Sequence, residues 1–531
     1  MQVHISPSMN RITISTSNGF LDFTKVKVAA RHLSYRTLFY TVLLLAFLLP
    51  FVFITTALMT LENVSKCSTI DCLGRKWGPA FPPFDSNLRD SKRILSLLSQ
   101  VATEALPEGM SIPESFDDLI AEVGSKNLDA RTSVLKLRAM VEALDRQAKQ
   151  AKLQEALFKH FASTGIPKGL HCLSLKLTTE YTSNARARRE LPSPELVPRL
   201  TDNSFHHYIM ASDNVLAASV VVSSTVKNAK QPWKIVFHVI TDRKTYAAMH
   251  AWFALYPLSP AIVEVKGVHQ FSWLTKDHVP VLEALETHNN VLWYYHGDLG
   301  VGTDLNDSPR LLASKLQARS PKYISILNHL RIYLPELFPE LKRVIFLDDD
   351  VVVQRDLSPL WTIDMKGKVN GAVETCRGDD TWVMSKKFKT YFDFSNPLIA
   401  SSFDPERCAW AYGMNIFDLE AWRNSDITKV YHHWLKQNIK ANLTLWRLGT
   451  LPPSLIAFDG HVHPIDSSWH MLGLGYQPKT DIESLKQAAV IHYNGQAKPW
   501  LDIAIPDLKP FWTNYVDYSN EFVRHCNILE S

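Results

Sequence analysis

The chain reads as an α/β protein built on a mostly parallel sheet covered on both faces, and three observations predict it. From residue 204 onward, short apolar runs alternate with segments of helical periodicity. The runs are apolar throughout, as strands buried on both faces are. Polar residues fall just past two of them: Asp213 and Asn214 after the first, and Asp348, Asp349 and Asp350 after Val344–Leu347. In such sheets ligands collect beyond the carboxyl ends of the strands.

The elements follow in order. Residues 1–36 form a basic tail, with Arg11, Lys25, Lys27, Arg31 and Arg36 against the single acid Asp22. Thr37–Leu61 runs for 25 residues without a charge, long enough to span a bilayer. Its length and its distance from Met1 make this an uncleaved signal anchor rather than a cleaved signal peptide, and the charge bias gives a cytosolic N-terminus and a lumenal body. Residues 62–204 read as a stem and helical region. Gly78–Asp90 has no periodicity, Leu137, Val141, Leu144, Ala148 and Ala151 mark a helix over 128–163, and Ser183–Asn203 is a polar linker. Arg186, Arg188 and Arg189 within that linker resemble a processing site. Residues 205–531 form the catalytic domain. His207–Ala211, Trp233–Ile240 and Ala261–Val265 are strands, Arg243–Leu255 and Tyr323–Leu337 are helices, and Asn289–Gln317 is a long surface loop.

Composition narrows the function classes. A hydrophobic content of 46% with 14 Trp indicates a globular body, and a net charge of +4 gives no support to nucleic-acid binding. Asn63, Asn306 and Asn442 open glycosylation sequons, and six Cys (Cys67, Cys72, Cys172, Cys376, Cys408, Cys526) leave pairing or free buried thiols open.

The aspartate trio carries the chemistry. On extended backbone Asp348 and Asp350 share a face about 7 Å apart while Asp349 points away. Two carboxylates at that separation repel by about 2 kcal/mol, which a cation between them would turn into coordination. Hard oxygen donors at a strand end suit Mg²⁺ or Mn²⁺. After the strand-like Ala488–Ile491 come His492, Gly495, Lys498, Pro499 and Trp500: an imidazole, a flexible turn and a cation for phosphate.

With these two motifs the sequence resembles the family 8 glycosyltransferases, retaining GT-A enzymes with a Rossmann-like nucleotide-sugar-binding fold. Phe346–Asp350 matches the family's DxD, and His492–Trp500 its HxxGxxKPW. The resemblance implies that Asp348, Asp350 and His492 bind Mn²⁺ or Mg²⁺, and that Gly495 and Lys498 hold the diphosphate. It also makes Asp213 and Asn214 the nucleotide-binding pair. Asp349, Arg331 and Asn415 become the catalytic candidates at the reacting end of the donor. Glu374, Arg377, Asp379, Asp380 and Gly413 are further candidates for the sugar pocket.

Gly165–Leu173, Val369–Cys376 and Trp410–Asn415 narrow the resemblance to the plant galacturonosyltransferases that build pectin. The donor would then be UDP-galacturonate, the acceptor an acidic homogalacturonan chain extended through α-1,4 links, and the location the Golgi membrane, single-pass type II. Homo- or hetero-complexes with related transferases are implied as well. Gly449–Leu455 replaces the Asp-Gln pair of bacterial members, so the group beside the anomeric carbon does not transfer. Arg377, Lys386, Lys387 and Lys389 are candidate cations for acidic sugars; His432 and His433 are expected on an exposed helix face. Two alternatives stand beside this reading: a transferase for another UDP-sugar, and a non-catalytic partner that anchors an active homologue.

Overall fold

The structure, a computed structural model, describes residues 2–5, 11–16, 19–24, 96, 99–100, 104, 106–107, 109–275, 279, 326–376, 386–442, 444–446, 449–476 and 480–529. The apolar run at 37–61, the stem at 78–90 and the loop at 289–317 lie outside the described residues, among which no helix is long and apolar enough to cross a membrane.

The chain divides into two compact units, Met1–Val141 and Glu142–Ser531. The first holds an antiparallel meander of β1 (Gln2–Ile5), β2 (Arg11–Thr16) and β3 (Gly19–Thr24). It also holds helix α1 (Phe116–Lys126), started by a capping box in which Ser115 and Asp118 satisfy each other's backbone N–H groups. Within the same unit Lys136, 3% exposed, reaches both Glu122 carboxylate oxygens at 2.8 Å. Helix α2 (Ala130–Thr164) follows, close to the span its apolar spacing predicts.

The second unit is built on a seven-stranded sheet of order β11-β9-β10-β7-β4-β5-β6. β4 (His206–Ala211), β5 (Ile235–Thr241), β6 (Ile262–Gly267) and β7 (Arg343–Leu347) run parallel. Helices α4 (Val215–Asn228) and α5 (Tyr246–Leu255) connect the first three. Consecutive residues go to opposite sides of the sheet. Tyr208, Phe237, Val263 and Ile345 enter one hydrophobic core, and Ile209, Ile240, Val344 and Phe346 the other. The expected covering on both faces is therefore present.

The expectation of a mostly parallel sheet holds for every strand but one. β10 (Met414–Asp418) is antiparallel to both β7 and β9 (Asn370–Val373), and β11 (Val462–Ile465) returns parallel to β9. The sheet is mixed. A second, three-stranded sheet joins β8 (Val351–Val353), β13 (Val490–His492) and β12 (His470–Met471).

Two segments differ from their sequence expectation. Polar composition reads Ser183–Asn203 as a linker, yet Ala187 is fully buried, Arg189 offers its carbonyl to His250 Nε2 at 2.8 Å, and the preceding helix α3 (Lys168–Ser183) buries Leu173 and Leu177 in the same core. The described part of the Tyr323–Leu337 helix is broken into Ile326–His329, a tight turn over Leu330–Tyr333, and Leu334–Leu337. Pro335, without an N–H, cannot continue one ladder through it.

Candidate active site

Chain order makes the site. From β4 the connections step outward to β5 and β6, and β7 then pairs on β4's other side, so the carboxyl ends of β4 and β7 flank the switch in direction where such sheets bind ligands. Asp348 leaves β7 there. The extended-strand reading of the aspartate trio is corrected by the structure: β7 ends at Leu347, residues 348–350 turn, and β8 begins at Val351 in the other sheet. Asp348 and Asp350 still converge, brought together by that turn in place of strand alternation.

β13 supplies the third member. Val351 pairs with His492, and Tyr493 N–H donates to the Asp350 carbonyl at 2.9 Å. Ligating atoms of Asp348, Asp350 and His492 all lie within 4.8 Å of one another. His492 Nε2 is 3.0 Å from Asp350 Oδ1 and 3.8 Å from Asp348 Oδ2. Two carboxylates and one imidazole are a donor set for a divalent cation of the Mg²⁺ or Mn²⁺ kind.

Each carboxylate also has its own cation. Lys498 Nζ bonds Asp350 and donates to the Tyr493 carbonyl at 3.0 Å. Burial pushes the Asp350 carboxyl upward, but His492 and Lys498 outweigh it and hold the group well below the usual carboxylate range. Burial likewise pulls Lys498 down, and Asp350 more than restores it. Arg331 bonds Asp348 and the Tyr412 carbonyl. Its guanidinium lies 4.0 Å from the Phe346 ring centroid and 3.7 Å from that of Tyr412. Only 5% exposed, it is held in one place.

Asn415 is consumed in holding it. The buried amide donates to the Ala411 carbonyl at 2.9 Å and accepts from Arg331 Nη1 at 3.3 Å. Asp349, between Asp348 and Asp350, accepts from Ser212 Oγ at 2.7 Å and is not one of the converging ligand atoms. Ser212 in turn accepts from Asn214 N–H at 3.0 Å, and Asn214 caps α4 by accepting from Ala217 N–H. The backbone around Asp349 is thus tied to the N-terminus of a 14-residue helix, an anion-favouring position, with Asp213 exposed beside it. Gly495 has φ +118, and a Cβ there would meet the Gly475 carbonyl oxygen at 2.6 Å, so only glycine lets the loop turn toward Lys498.

Ser212, Tyr412 and His470 were not singled out from sequence; Tyr412 alone had a signal, since it lies in the Trp410–Asn415 stretch. Other candidates fall elsewhere. Glu374 bridges to Trp410, and Arg377, Asp379 and Asp380 lie outside the described residues. Lys387 and Lys389 both pair with Glu406, and Lys386 lies 5.9 Å from the Tyr476 ring centroid. His432, expected to be exposed, is half-buried and bonded to the Tyr333 hydroxyl at 2.7 Å, because its helix packs that side against the turn carrying Arg331. Cys172 pairs with Cys526, and Cys376 with Cys408; none of the described cysteines is free, while Cys67 and Cys72 lie outside the described residues.

The profile of glycosyl transferase family 8 matches residues 172–504, a span that includes every residue of this site. The chain belongs to glycosyl transferase family 8. It is 63% identical over 533 residues to the Arabidopsis thaliana protein named "Probable galacturonosyltransferase 13", covering 100% of both chains. It is likewise 63% identical over 532 residues to "Probable galacturonosyltransferase 14", again covering 100% of both. Among solved structures it is similar to the galactosyltransferase LgtC, with 19% identity, 60% of this chain and 99% of that chain covered, and a TM-score of 0.37. Membership of family 8 makes the mixed sheet that of a GT-A glycosyltransferase, and the Asp348–Asp350–His492 group can hold the divalent metal such enzymes generally use.

Proposed function

We propose that the protein transfers galacturonic acid from UDP-galacturonate to a homogalacturonan acceptor, with retention and an α-1,4 link, using Mn²⁺. The observation that carries the chemistry is the convergence of Asp348, Asp350 and His492 with Lys498 alongside. Full-length identity of 63% to two proteins named as galacturonosyltransferases supports the sugar.

Cleaving the sugar–phosphate bond leaves negative charge on the diphosphate. A divalent cation bound at the carboxylate pair supplies opposite charge to that leaving group. Lys498, released from Asp350 toward the phosphates, adds a second cation in a largely buried position. Arg331, fixed between two rings and held by Asn415, presents its guanidinium beside Asp348 and orients the donor. Asn415 is thus a positioning residue. Asp349 and Ser212, with Asp213 and Asn214, form the nucleotide side of the cleft. The acceptor hydroxyl attacks from the face that the diphosphate vacates and gives its proton to a phosphate oxygen, so no protein nucleophile is required.

The proposal extends to a single-pass type II protein of the Golgi membrane: the uncharged run at 37–61 and the basic residues before it support the topology, and the resemblance to pectin-building transferases implies the compartment. Asn442, exposed in a turn, would then carry N-glycan, and endoglycosidase sensitivity of an Asn442→Gln pair reads this directly.

The test offers the full chain a panel of UDP-sugars with Mn²⁺ and oligogalacturonide. Incorporation from UDP-galacturonate alone, abolished in an Asp348→Ala, Asp350→Ala double variant, is expected. Incorporation only from another sugar overturns the donor, undiminished activity of the double variant overturns the metal role, and rescue only by a second chain favours the anchoring partner.

A further inference from the structure

Beside the proposed metal group lies a fully buried imidazole with no part in the mechanism above. His470 opens β12, one strand over from β13, and its Nε2 sits 3.3 Å from Nδ1 of His492. The two rings are nearly parallel, at 16° with centroids 5.2 Å apart. His470 is 0% exposed, and its Nδ1 has no hydrogen-bond partner. On β10's side the His492 ring is confined by Gly413, where any Cβ would come within 2.2 Å of it. Thus Gly413 fixes where the ring can lie, and His470 takes the nitrogen left over.

We propose that His470 is a positioning residue that orients His492 and sets its tautomer for cation binding. The inference rests on the reading of Asp348, Asp350 and His492 as a metal site. A cation at Nε2 needs that nitrogen bare, which places the ring proton on Nδ1 and requires an acceptor there. Without a cation the demand reverses: Nε2 lies 3.0 Å from Asp350 Oδ1 and donates to it, so Nδ1 needs a donor. A backbone carbonyl or a carboxylate meets only the first demand. An imidazole meets both. In the cation-free arrangement each ring carries its proton on Nε2; in the cation-bound arrangement each carries it on Nδ1. Two protons are present throughout, and the hydrogen bond between the rings only changes direction. An imidazole also adds no third negative charge to Asp348 and Asp350, which Arg331 and Lys498 already balance, so the cation's charge stays available to the diphosphate.

The test measures Mn²⁺ binding to the full chain without donor, by the electron paramagnetic resonance signal of free Mn²⁺, alongside transfer kinetics against Mn²⁺ concentration. His470→Phe keeps a ring of similar size but neither donates nor accepts, and His470→Met is a second apolar variant should the first not fold. His470→Gln keeps an amide that does both. The apolar variants are expected to bind Mn²⁺ about 10–100-fold more weakly. Their kcat at saturating Mn²⁺ should fall far less than their Mn²⁺ affinity, and the Gln variant should recover most of that affinity. Wild-type Mn²⁺ affinity in a folded apolar variant overturns the inference, as does a Gln variant no better than Phe at equal melting temperature. Wild-type protein that binds no Mn²⁺, or binds it equally with Asp348→Ala and Asp350→Ala, overturns the metal reading itself and this inference with it.

Discussion

Replacing Gly413 by alanine should disable the enzyme while leaving it folded. The added Cβ would lie 2.2 Å from His492 Cε1, 2.3 Å from Nδ1 and 2.9 Å from Nε2. Ordinary carbon contacts sit near about 3.5 Å, so the imidazole has to retreat by roughly 1.3 Å. The backbone cannot make the adjustment, because the Gly413 carbonyl accepts from Asp348 N–H at 2.8 Å and the next residue, Met414, is already in register with Leu347. Gly413 has no left-handed φ, so alanine adds no backbone strain and the clash with the ring stands alone. Ligand distances in a metal site tolerate only about 0.2 Å, and a misplacement of order 1 Å costs roughly 100-fold in rate. The overpacking itself should cost about 1–3 kcal/mol of stability. Sugar transfer by the full chain, with circular dichroism and a melting curve on the same sample, measures both. A Gly413→Ala protein with wild-type activity and wild-type Mn²⁺ affinity would refute the placement of His492 as a ligand.

Three further outcomes follow from other parts of the molecule. Lys498→Met strands the buried Asp350 with His492 as its remaining partner, and denaturant unfolding should show a loss of about 3 kcal/mol together with a raised KM for the donor. Cys376→Ser opens a covalent loop whose ends are 32 residues apart, and chain entropy puts the loss at about 4 kcal/mol, read as a melting temperature below that of the wild type and above that of the fully reduced protein, in which Cys172–Cys526 is open too. His207 is buried against His238 and the Asp202 carbonyl, and burial lowers its pKa to about 4 from an unfolded value of 6.5. The unfolded chain therefore binds the extra proton first. Stability from this group is complete above pH 6.5 and is lost as pH falls from there toward 4, by about 2 kcal/mol at pH 5, a slope that His207→Gln should remove.

The half of the sheet made of βαβ units was legible because its strands are apolar throughout and separated by helices: the run Trp233–Ile240 became β5 at Ile235–Thr241. The reversal of β10 was not. β9 and β10 are four and five residues long, and nothing in so short an apolar segment states which way it runs. Within the site, Asp348, Asp350, His492 and Lys498 announced themselves by charge in apolar surroundings or by motif. His470 carried no such signal, since a lone His 22 residues before His492 has no spacing that predicts contact. Ser212 is equally silent: its role depends on Asp349, 137 residues away, arriving beside β4. The cysteines could be counted in sequence but not paired, because pairing is decided by which helices and loops end side by side.

The aspartate trio ties these parts together. A single strand continuing through residues 348–350 would place two carboxylates on one face and leave both in one sheet, with His492 free to be anywhere. Breaking the strand there sends Val351–Val353 into a different sheet, and β13 pairs directly with it, so that His492 lies opposite Val351. The same turn faces Asp349 toward Ser212 and the start of α4. One three-residue turn thus joins the sheet that ends beside Ser212 and α4 to the sheet that ends at His492, six residues before Lys498. The Asp348–Asp350–His492 group, Lys498 and the Ser212–Asn214 loop are held to one another by the pairing and hydrogen bonds on both sides of the trio, which is why an acidic run can interrupt two buried strands and persist.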